Sequence, residues 1–404
     1  MLLLPFMKKS SSSINLQVGL FVITRMVFNT NTRMVYPFLS VIARGLGVDL
    51  EAISLAITAR SFVGAFSPAL TPVIDRYGRK AGMLFSLAMF STAVTLLVVF
   101  QTLFVFYISL SLSFLAVFVF MIAVQAYLGD EIPYEKRGLA LAFTELGWSL
   151  SFILAMPLVA VLIGRFGWHS PYVFILVLAL LAMVVLFKVI PGDRPASIHA
   201  NGSPLANLKQ VFQSPAAIAG LTFSFMLIAA NEVVNLVFGV WIEDSFGLKI
   251  AALGAASAVI GFAELGGESF SGMLVDRIGK ERSIRAGLLL NGLVALSLPW
   301  LGRSLTGALV GLFLFYLTYE FTFVCSLPLM TEILPAARAT FMGVNISAIS
   351  LGRTFGNSLS PLIYHQWGIR ADAIIALVLD ALALVALSRI KLPTQQLAAD
   401  ASQP

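Results

Sequence analysis

The chain has 404 residues, of which 59% are apolar and only 11% are charged, and its mean hydropathy is +0.93. Because about a quarter of the residues of a soluble domain are charged, this composition excludes a water-soluble globule and a disordered chain. The net charge of +6 comes from Lys and Arg dispersed over short loops, which excludes nucleic acid as a partner, and a single cysteine, Cys325, excludes a disulfide framework. We therefore expect a membrane protein.

Twelve continuous apolar stretches predict transmembrane helices, since a helix needs about 20 apolar residues to cross a bilayer. Membrane β-strands would instead alternate over about ten residues. In chain order, the predicted helices 1 to 12 span residues 15–43, 52–74, 81–100, 103–128, 138–163, 171–190, 214–240, 251–274, 284–301, 305–329, 340–363 and 371–389.

A polar interruption divides the predicted helices into six and six. Residues 191–213 are rich in Pro, Ser and Asn and follow helix 6. The sequence therefore predicts an N-terminal six-helix bundle in residues 1–190, a linker at 191–213 and a C-terminal six-helix bundle in 214–404. The end of the linker, residues 204–213, is either a short helix on the membrane surface or an extended connection.

The basic residues predict how the chain is oriented. When the loops are sorted by side, 17 Lys and Arg residues fall on the side of the N-terminus and 5 on the other side. By the positive-inside rule, both termini and the linker are expected in the cytoplasm and the protein in the plasma (inner) membrane.

One loop motif occurs twice. The pattern D-R-x-G-R/K follows helices 2 and 8 with an offset of 201 residues, at Asp75, Arg76, Gly78 and Arg79 and again at Asp276, Arg277, Gly279 and Lys280. With one residue of slip, Asp130 likewise matches Glu332. Parallel repeats of this kind occur in transporters whose substrate site lies between the two halves.

These residues resemble the major facilitator superfamily of transporters, and the resemblance covers essentially the whole chain. The family pattern G-x-L-x-D-R-x-G-R-K/R is matched more completely by the second copy, from Gly272 to Lys280, whereas Thr71 replaces the leading glycine of the first copy. The resemblance implies two six-helix bundles in a pseudo-twofold arrangement, and a loop that latches the halves when the cytoplasmic side is closed. Alternatively, the basic residues of the loop only orient the chain in the membrane.

Ionisable residues at membrane depth are the candidate functional groups. Each costs at least about 2.5–3.5 kcal/mol to insert, so it is expected to face a partner or a water-filled cavity. The ten such residues are Arg25, Arg33, Arg60, Glu145, Glu232, Glu264, Glu268, Glu320, Arg353 and Asp380.

Polar residues on helix 1 predict a cavity wall. Arg25, Asn29, Arg33 and Tyr36 fall on one helix face, and Pro37 predicts a kink there. The expected substrate cavity is lined by Arg25, Asn29, Arg33, Tyr36, Asn231, Glu232, Asn235, Glu320 and Arg353.

The arginines in this cavity permit two interpretations. They either bind a carboxylate or phosphate of the substrate or are neutralised by the glutamates. Because Arg33 and Glu232 are expected at similar depths, an ion pair between them across the halves is one hypothesis.

Proton coupling requires a carboxylate, since all three histidines fall in loops. Burial favours the neutral form of a carboxyl group and a neighbouring arginine favours the ionised form. Glu264, Glu232 and Glu320 are the candidates, although each could equally be a permanently paired structural residue.

The sequence thus predicts a monomeric secondary transporter with a small-molecule substrate, the bilayer and protons as its partners. Proton-coupled export of an amphiphilic compound is the first hypothesis, based on abundant Phe and Met. Helix 5 keeps Pro157 but lacks most glycines of the family's antiporter motif, which weakens antiport. The alternatives are proton-linked uptake of an organic anion, a lipid-handling version and a non-transporting receptor.

We expect no enzymatic activity. No Walker phosphate loop, catalytic constellation or metal-spaced cluster is recognisable, so no catalytic residue, metal or cofactor is predicted.

Overall fold

The computed structural model describes residues 12–70, 78–132, 134–192, 204–247 and 249–390. Throughout these residues the regular structure is helical and no strand is present, which confirms the prediction of an all-α protein. In chain order the helices are α1 Ser12–Arg33, α2 Leu39–Leu46, α3 Leu50–Gly64, α4 Arg79–Val99, α5 Leu103–Glu131, α6 Tyr134–Leu150, α7 Met156–Phe166, α8 Ser170–Val189, α9 Pro204–Gln213, α10 Pro215–Phe246, α11 Ile250–Ile278, α12 Lys280–Leu301, α13 Leu305–Glu332, α14 Arg338–Trp367 and α15 Ile369–Ser388.

Nine helical segments of the described chain are long and apolar enough to cross a bilayer. They coincide with predicted helices 3 to 10 and 12, with ends that differ by a few residues. Helices also occupy predicted spans 1, 2 and 11, but α1 stops at Arg33, α3 has only 15 residues and α14 is rich in Ser, Thr and Asn. These three less apolar spans carry all four membrane-depth arginines, which lower their hydropathy.

Glycines with positive φ flank helix ends on both sides of the bundle. Their φ angles lie between +59° and +97°, a region that side chains with a Cβ rarely adopt. One side, called the Gly47 face, carries Gly47, Gly167, Gly247 and Gly368, and the opposite side, called the Gly78 face, carries Gly78 and Gly279. The two copies of the loop motif therefore place their glycines in the same backbone conformation.

The first crossing is interrupted, as Pro37 predicts. Pro37 has no N–H, and the carbonyl of Arg33 accepts instead from the backbone of Tyr36 at 3.2 Å. Residues 34–38 form turns, after which α2 continues to the Gly47 face. The interruption brings the side chains of Arg33 and Tyr36 to the centre of the molecule.

The fifth crossing is also irregular. A π-helical turn, Ser151–Ala155, separates α6 from α7, and Pro157 occupies the first turn of α7. Within the turn, Met156 N–H bonds to the carbonyl of Ser151, five residues back. Such wide turns occur frequently at functional sites.

Helices α1–α8 contact helices α10–α15 along two seams. At the α3–α14 seam, Ser347 donates to the carbonyl of Ala65 at 2.6 Å and Asn357 donates to Ser61 at 3.2 Å. The other seam joins α7 and the π-turn to α11.

Glycines allow close backbone approach between these two sets of helices. A methyl group at Gly254 would lie 3.0 Å from the carbonyl oxygen of Met156, and one at Gly261 would lie 2.9 Å from the amide nitrogen of Ile153. Beside α2, a methyl group at Gly239 of α10 would lie 2.7 Å from the carbonyl oxygen of Tyr36. These positions therefore leave no room for a side chain.

The second part of the linker is helical, as one of the two interpretations predicted. Helix α9 packs against α10 and α14 and buries Val211 completely.

Candidate functional site

Three arginine–glutamate pairs occupy the interior between the helices. The guanidinium of Arg25 forms a bidentate pair with Glu145, with one N–O distance of 2.6 Å. Arg33 Nη2 lies 2.5 Å from Glu264 Oε1, and Arg353 Nε lies 3.6 Å from Glu232 Oε1. The charged tips point at one another rather than at lipid, which favours neutralisation of the arginines by the glutamates.

The Arg33–Glu264 pair joins the two sets of helices and is deeply buried. The two side chains are only 6% and 3% exposed. Arg33 lies over the rings of Trp148 and Phe152, 4.0 and 3.6 Å from their centroids, and donates to the Trp148 carbonyl at 2.9 Å. Trp148 Nε1 in turn donates to Glu264 at 3.2 Å. Aromatic faces and an irregular helix thus shield this pair from water.

The hypothesis of an Arg33–Glu232 pair is wrong in this structure, because each residue has a different partner. Equal depth along two helices does not fix the direction in which a side chain leaves its helix. Arg33 is directed towards α6 and α11, whereas Glu232 is directed towards Tyr36, Asn235 and Arg353.

Glu232 is the centre of a second network between the halves. Its Oε2 accepts from the Tyr36 hydroxyl at 3.2 Å and from Asn235 Nδ2 at 3.1 Å. Asn235 Oδ1 accepts from the Tyr316 hydroxyl at 2.6 Å. The predicted residues Tyr36, Glu232, Asn235 and Arg353 are therefore brought together.

Arg60 extends this network, although the sequence analysis did not place it in the cavity. It is 1% exposed and donates to the Tyr36 hydroxyl at 2.9 Å and to the carbonyl of Thr32 at 2.7 Å. In the described part of the chain, no carboxylate lies within 4.0 Å of its guanidinium. The signal in the sequence that could have indicated a role for Arg60 was its position as a single arginine in an apolar helix.

Two carboxylates in the interior have no cationic partner among the described residues. Glu320 is 6% exposed and makes no hydrogen bond or ion pair with any described residue. It packs closely against α11, since a methyl group placed at Gly267 would lie 2.8 Å from its Cβ. In the described part of the chain, the Glu268 carboxylate accepts only from Ser149 Oγ, at 3.3 Å. These two groups can exchange a proton without first breaking an ion pair.

The remaining predicted cavity residues are buried but incompletely bonded. Asn29 Nδ2 and Asn231 Oδ1 have no hydrogen-bond partner among the described residues. Asp380 lies on α15, apart from the site, with its side chain next to Gly292 of α12, and neither of its carboxylate oxygens has a described partner. Among the described residues, predicted helix 11 therefore supplies no hydrogen-bond partner for Asp380.

The cluster carries more negative than positive groups. Its members are Arg25, Arg33, Arg60 and Arg353 with Glu145, Glu232, Glu264, Glu268 and Glu320. With all groups ionised, the five carboxylates outnumber the four guanidiniums and leave a formal charge of −1. Exposure of the paired side chains rises from 3% at Glu264 to 46% at Glu145, in the direction of the Gly78 face.

The loop copies form matching ion pairs on the Gly78 face. Arg79 pairs with Asp130 at 3.2 Å in the first copy, and Lys280 pairs with Glu332 at 2.5 Å in the second. The repeat observed in the sequence is therefore also a repeat of contacts.

The latch itself stays a prediction. Asp75 and Arg76 lie outside the described residues, as does the side chain of Asp276, and Arg277 is exposed.

The glycines of the loops permit a direct test. We expect Gly78→Ala and Gly279→Ala each to destabilise the protein by about 1–3 kcal/mol, because φ of +97° and +91° strains a residue with a Cβ. Thermal unfolding of the purified protein in detergent measures the effect. Gly164→Ala is the matched control, since Gly164 is helical and a methyl group there meets nothing within 4 Å. Equal unfolding midpoints for all three variants would contradict the expectation.

The fold and its buried, paired charges between two sets of helices define a multi-pass membrane transporter. The family model of the Major Facilitator Superfamily matches residues 21–345 and 225–403. The chain belongs to this family.

Two relatives and one solved structure illustrate the similarity. The chain is 24% identical to the uncharacterized MFS-type transporter YceJ of Bacillus subtilis, over 87% of this chain and 90% of YceJ. It is 25% identical to Multidrug resistance protein 2 of the same organism, over 74% of this chain and 76% of that protein. A crystal structure of a D-xylose-proton symporter superposes with a TM-score of 0.78 at 14% identity, covering 94% of this chain and 98% of the symporter.

Proposed function

We propose that the chain exports an amphiphilic compound in exchange for protons. In this proposal residues 1–190 and 214–404 are the two bundles that rock about the central cluster, and 191–213 is the cytoplasmic linker. The Gly47 face is the outer side, and both termini are cytoplasmic. The observation that carries the proposal is the pairing of Arg25, Arg33 and Arg353 with glutamates while Glu320 and Glu268 lack a cation.

The charge distribution supports proton coupling rather than uptake of an organic anion. A free anion site needs an available guanidinium, but each arginine of the three pairs already faces a carboxylate. Arg60 is likewise engaged by a carbonyl and a hydroxyl and is 1% exposed. The excess of carboxylates instead suits a proton or a cationic substrate.

The position of two networks between the halves supplies a coupling mechanism. Arg33–Glu264 and Tyr36–Glu232 each join the N-terminal helices to the C-terminal helices. Rocking of the bundles would separate these partners. A glutamate that loses its arginine or tyrosine in a low-dielectric site favours its protonated form, and re-formation of the pair favours release. Glu264, Glu232 and Glu320 are the proposed proton carriers.

The aromatic lining supports an amphiphilic substrate. Trp148, Tyr36, Tyr316 and Tyr319 surround the paired charges, so one molecule can contact apolar rings and polar atoms together. The similarity to Multidrug resistance protein 2 also supports export. We further propose that the chain acts as a monomer in the plasma membrane.

Flux in proteoliposomes tests the proposal. Liposomes with an acidic lumen are offered labelled quaternary ammonium amphiphiles, neutral amphiphiles and carboxylates. Exchange for protons predicts uptake of an amphiphile that a protonophore abolishes and that protein-free liposomes lack. Accumulation of carboxylates driven by an acidic exterior would instead support anion uptake, and binding without flux would support a receptor.

A further inference from the structure

A cavity of about 400 Å³ opens on the Gly47 face, between the N-terminal and C-terminal helices. None of the five glutamates and four arginines of the central cluster lines it. Its walls come from α2 and α3 on one side and from α10 and α14 on the other. An occupant would therefore contact both halves of the transporter at once.

The lining of the cavity has an apolar floor and two carboxylates. Leu39, Val237 and Val240 are buried apolar side chains of the wall. Glu51 of α3 and Asp244 of α10 are exposed and approach the cavity from opposite halves. The residues that line it include no Lys or Arg, and His365 is the one basic side chain among them.

Nearby groups leave this negative charge available. Arg44 lies near Asp244 on the same face, and its guanidinium is bound to Glu243 at 2.9 Å. Tyr364 contributes an aromatic ring to the wall, and its hydroxyl donates to Asp244. Apolar walls, an aromatic ring and opposed carboxylates together complement an organic ammonium ion with an apolar body.

We propose that this cavity is a binding site for small organic cations, separate from the central transport site. An occupant held between Glu51 and Asp244 bridges the halves and stabilises the state in which the Gly47 face is closed. The proposal goes beyond the proposed function, because the site can bind its ligand whichever solute is transported and in whichever direction.

Calorimetric titration of the whole protein in lipid nanodiscs tests this site. The probe is benzyltrimethylammonium, and its uncharged isostere neopentylbenzene is the matched ligand. We expect saturable binding of the ammonium and at least tenfold weaker binding of the isostere. Equal affinity for both compounds would overturn the proposal, since the carboxylates would then contribute nothing.

Variants locate the bound cation. The double variant Glu51→Gln/Asp244→Asn is expected to lose at least tenfold in affinity, whereas Glu281→Gln, which removes a partly exposed carboxylate on the Gly78 face, retains it. If the double variant does not fold, each single variant is expected to lose at least threefold. The charge-neutral variant Leu50→Trp, which fills the cavity, should also weaken binding. Unchanged affinity in the carboxylate variants would place the cation elsewhere and overturn the proposal.

Discussion

Arg33→Ala is expected to lower the free energy of unfolding by about 3–5 kcal/mol and to stop transport, because it leaves Glu264 as a buried charge without its partner. The side chains of Arg33 and Glu264 are almost fully enclosed. The rings of Trp148 and Phe152 cover Arg33 and keep water from taking the place of its guanidinium beside Glu264. Unfolding of the purified protein and flux in proteoliposomes measure the two effects.

The exposed pair between Arg44 and Glu243 is the matched control for Arg33→Ala. It also joins the halves, but its arginine side chain is 63% exposed. Loss of such a pair typically costs about 1 kcal/mol or less, so Arg44→Ala should remain close to the wild type in stability. The double variant Arg33→Gln/Glu264→Gln should recover most of the lost stability without restoring proton coupling. Similar stability of Arg33→Ala and Arg44→Ala would show that burial of the Arg33 pair does not matter.

Glu320→Gln is expected to reduce accumulation driven by a pH gradient at least tenfold while exchange of labelled for unlabelled substrate continues. Glutamine keeps the shape and polarity of the side chain but cannot bind or release a proton. Since Glu320 has no cation partner among the described residues, the substitution breaks no ion pair and should leave folding intact. Flux and exchange in the same proteoliposomes separate coupling from substrate binding.

A matched comparison makes the Glu320 result specific. Glu281→Gln removes a partly exposed carboxylate near the start of α12, where its pair with Arg285 has an N–O distance of 3.5 Å, and should leave the driven accumulation unchanged. Should Glu320→Gln accumulate substrate as the wild type does, the proton carrier would have to be another buried carboxylate, Glu264, Glu232 or Glu268.

The sequence predicted the architecture well because its strongest signals are local. Continuous apolar runs indicate membrane spans wherever they occur, and Pro37 interrupts its helix by removing an N–H. The glycines of the repeated motif also adopt the backbone angles that only glycine tolerates easily. Each of these inferences depends on a few neighbouring residues.

The partners within the site could not be predicted in the same way. Arg33 reaches Glu264 across 231 positions in the chain, and the contact depends on how α1, α6 and α11 are rotated about their axes. The π-helical turn after Leu150 changes that rotation by adding a residue to one turn, and no pattern in the sequence marks it. Arg60 bonds to a hydroxyl and a carbonyl, a pairing that a search for opposite charges overlooks.

The close approach of main chains at Gly254 and Gly261 restricts how the two bundles can part. Where main-chain atoms meet without intervening side chains, a rotamer change cannot relieve or loosen the contact. In the proposed rocking of the bundles, the α7–α11 seam would therefore separate by displacement of whole helices. Contacts of this kind favour two discrete arrangements of the helices over a continuous series of intermediate positions. Partly opened intermediates should therefore be short-lived.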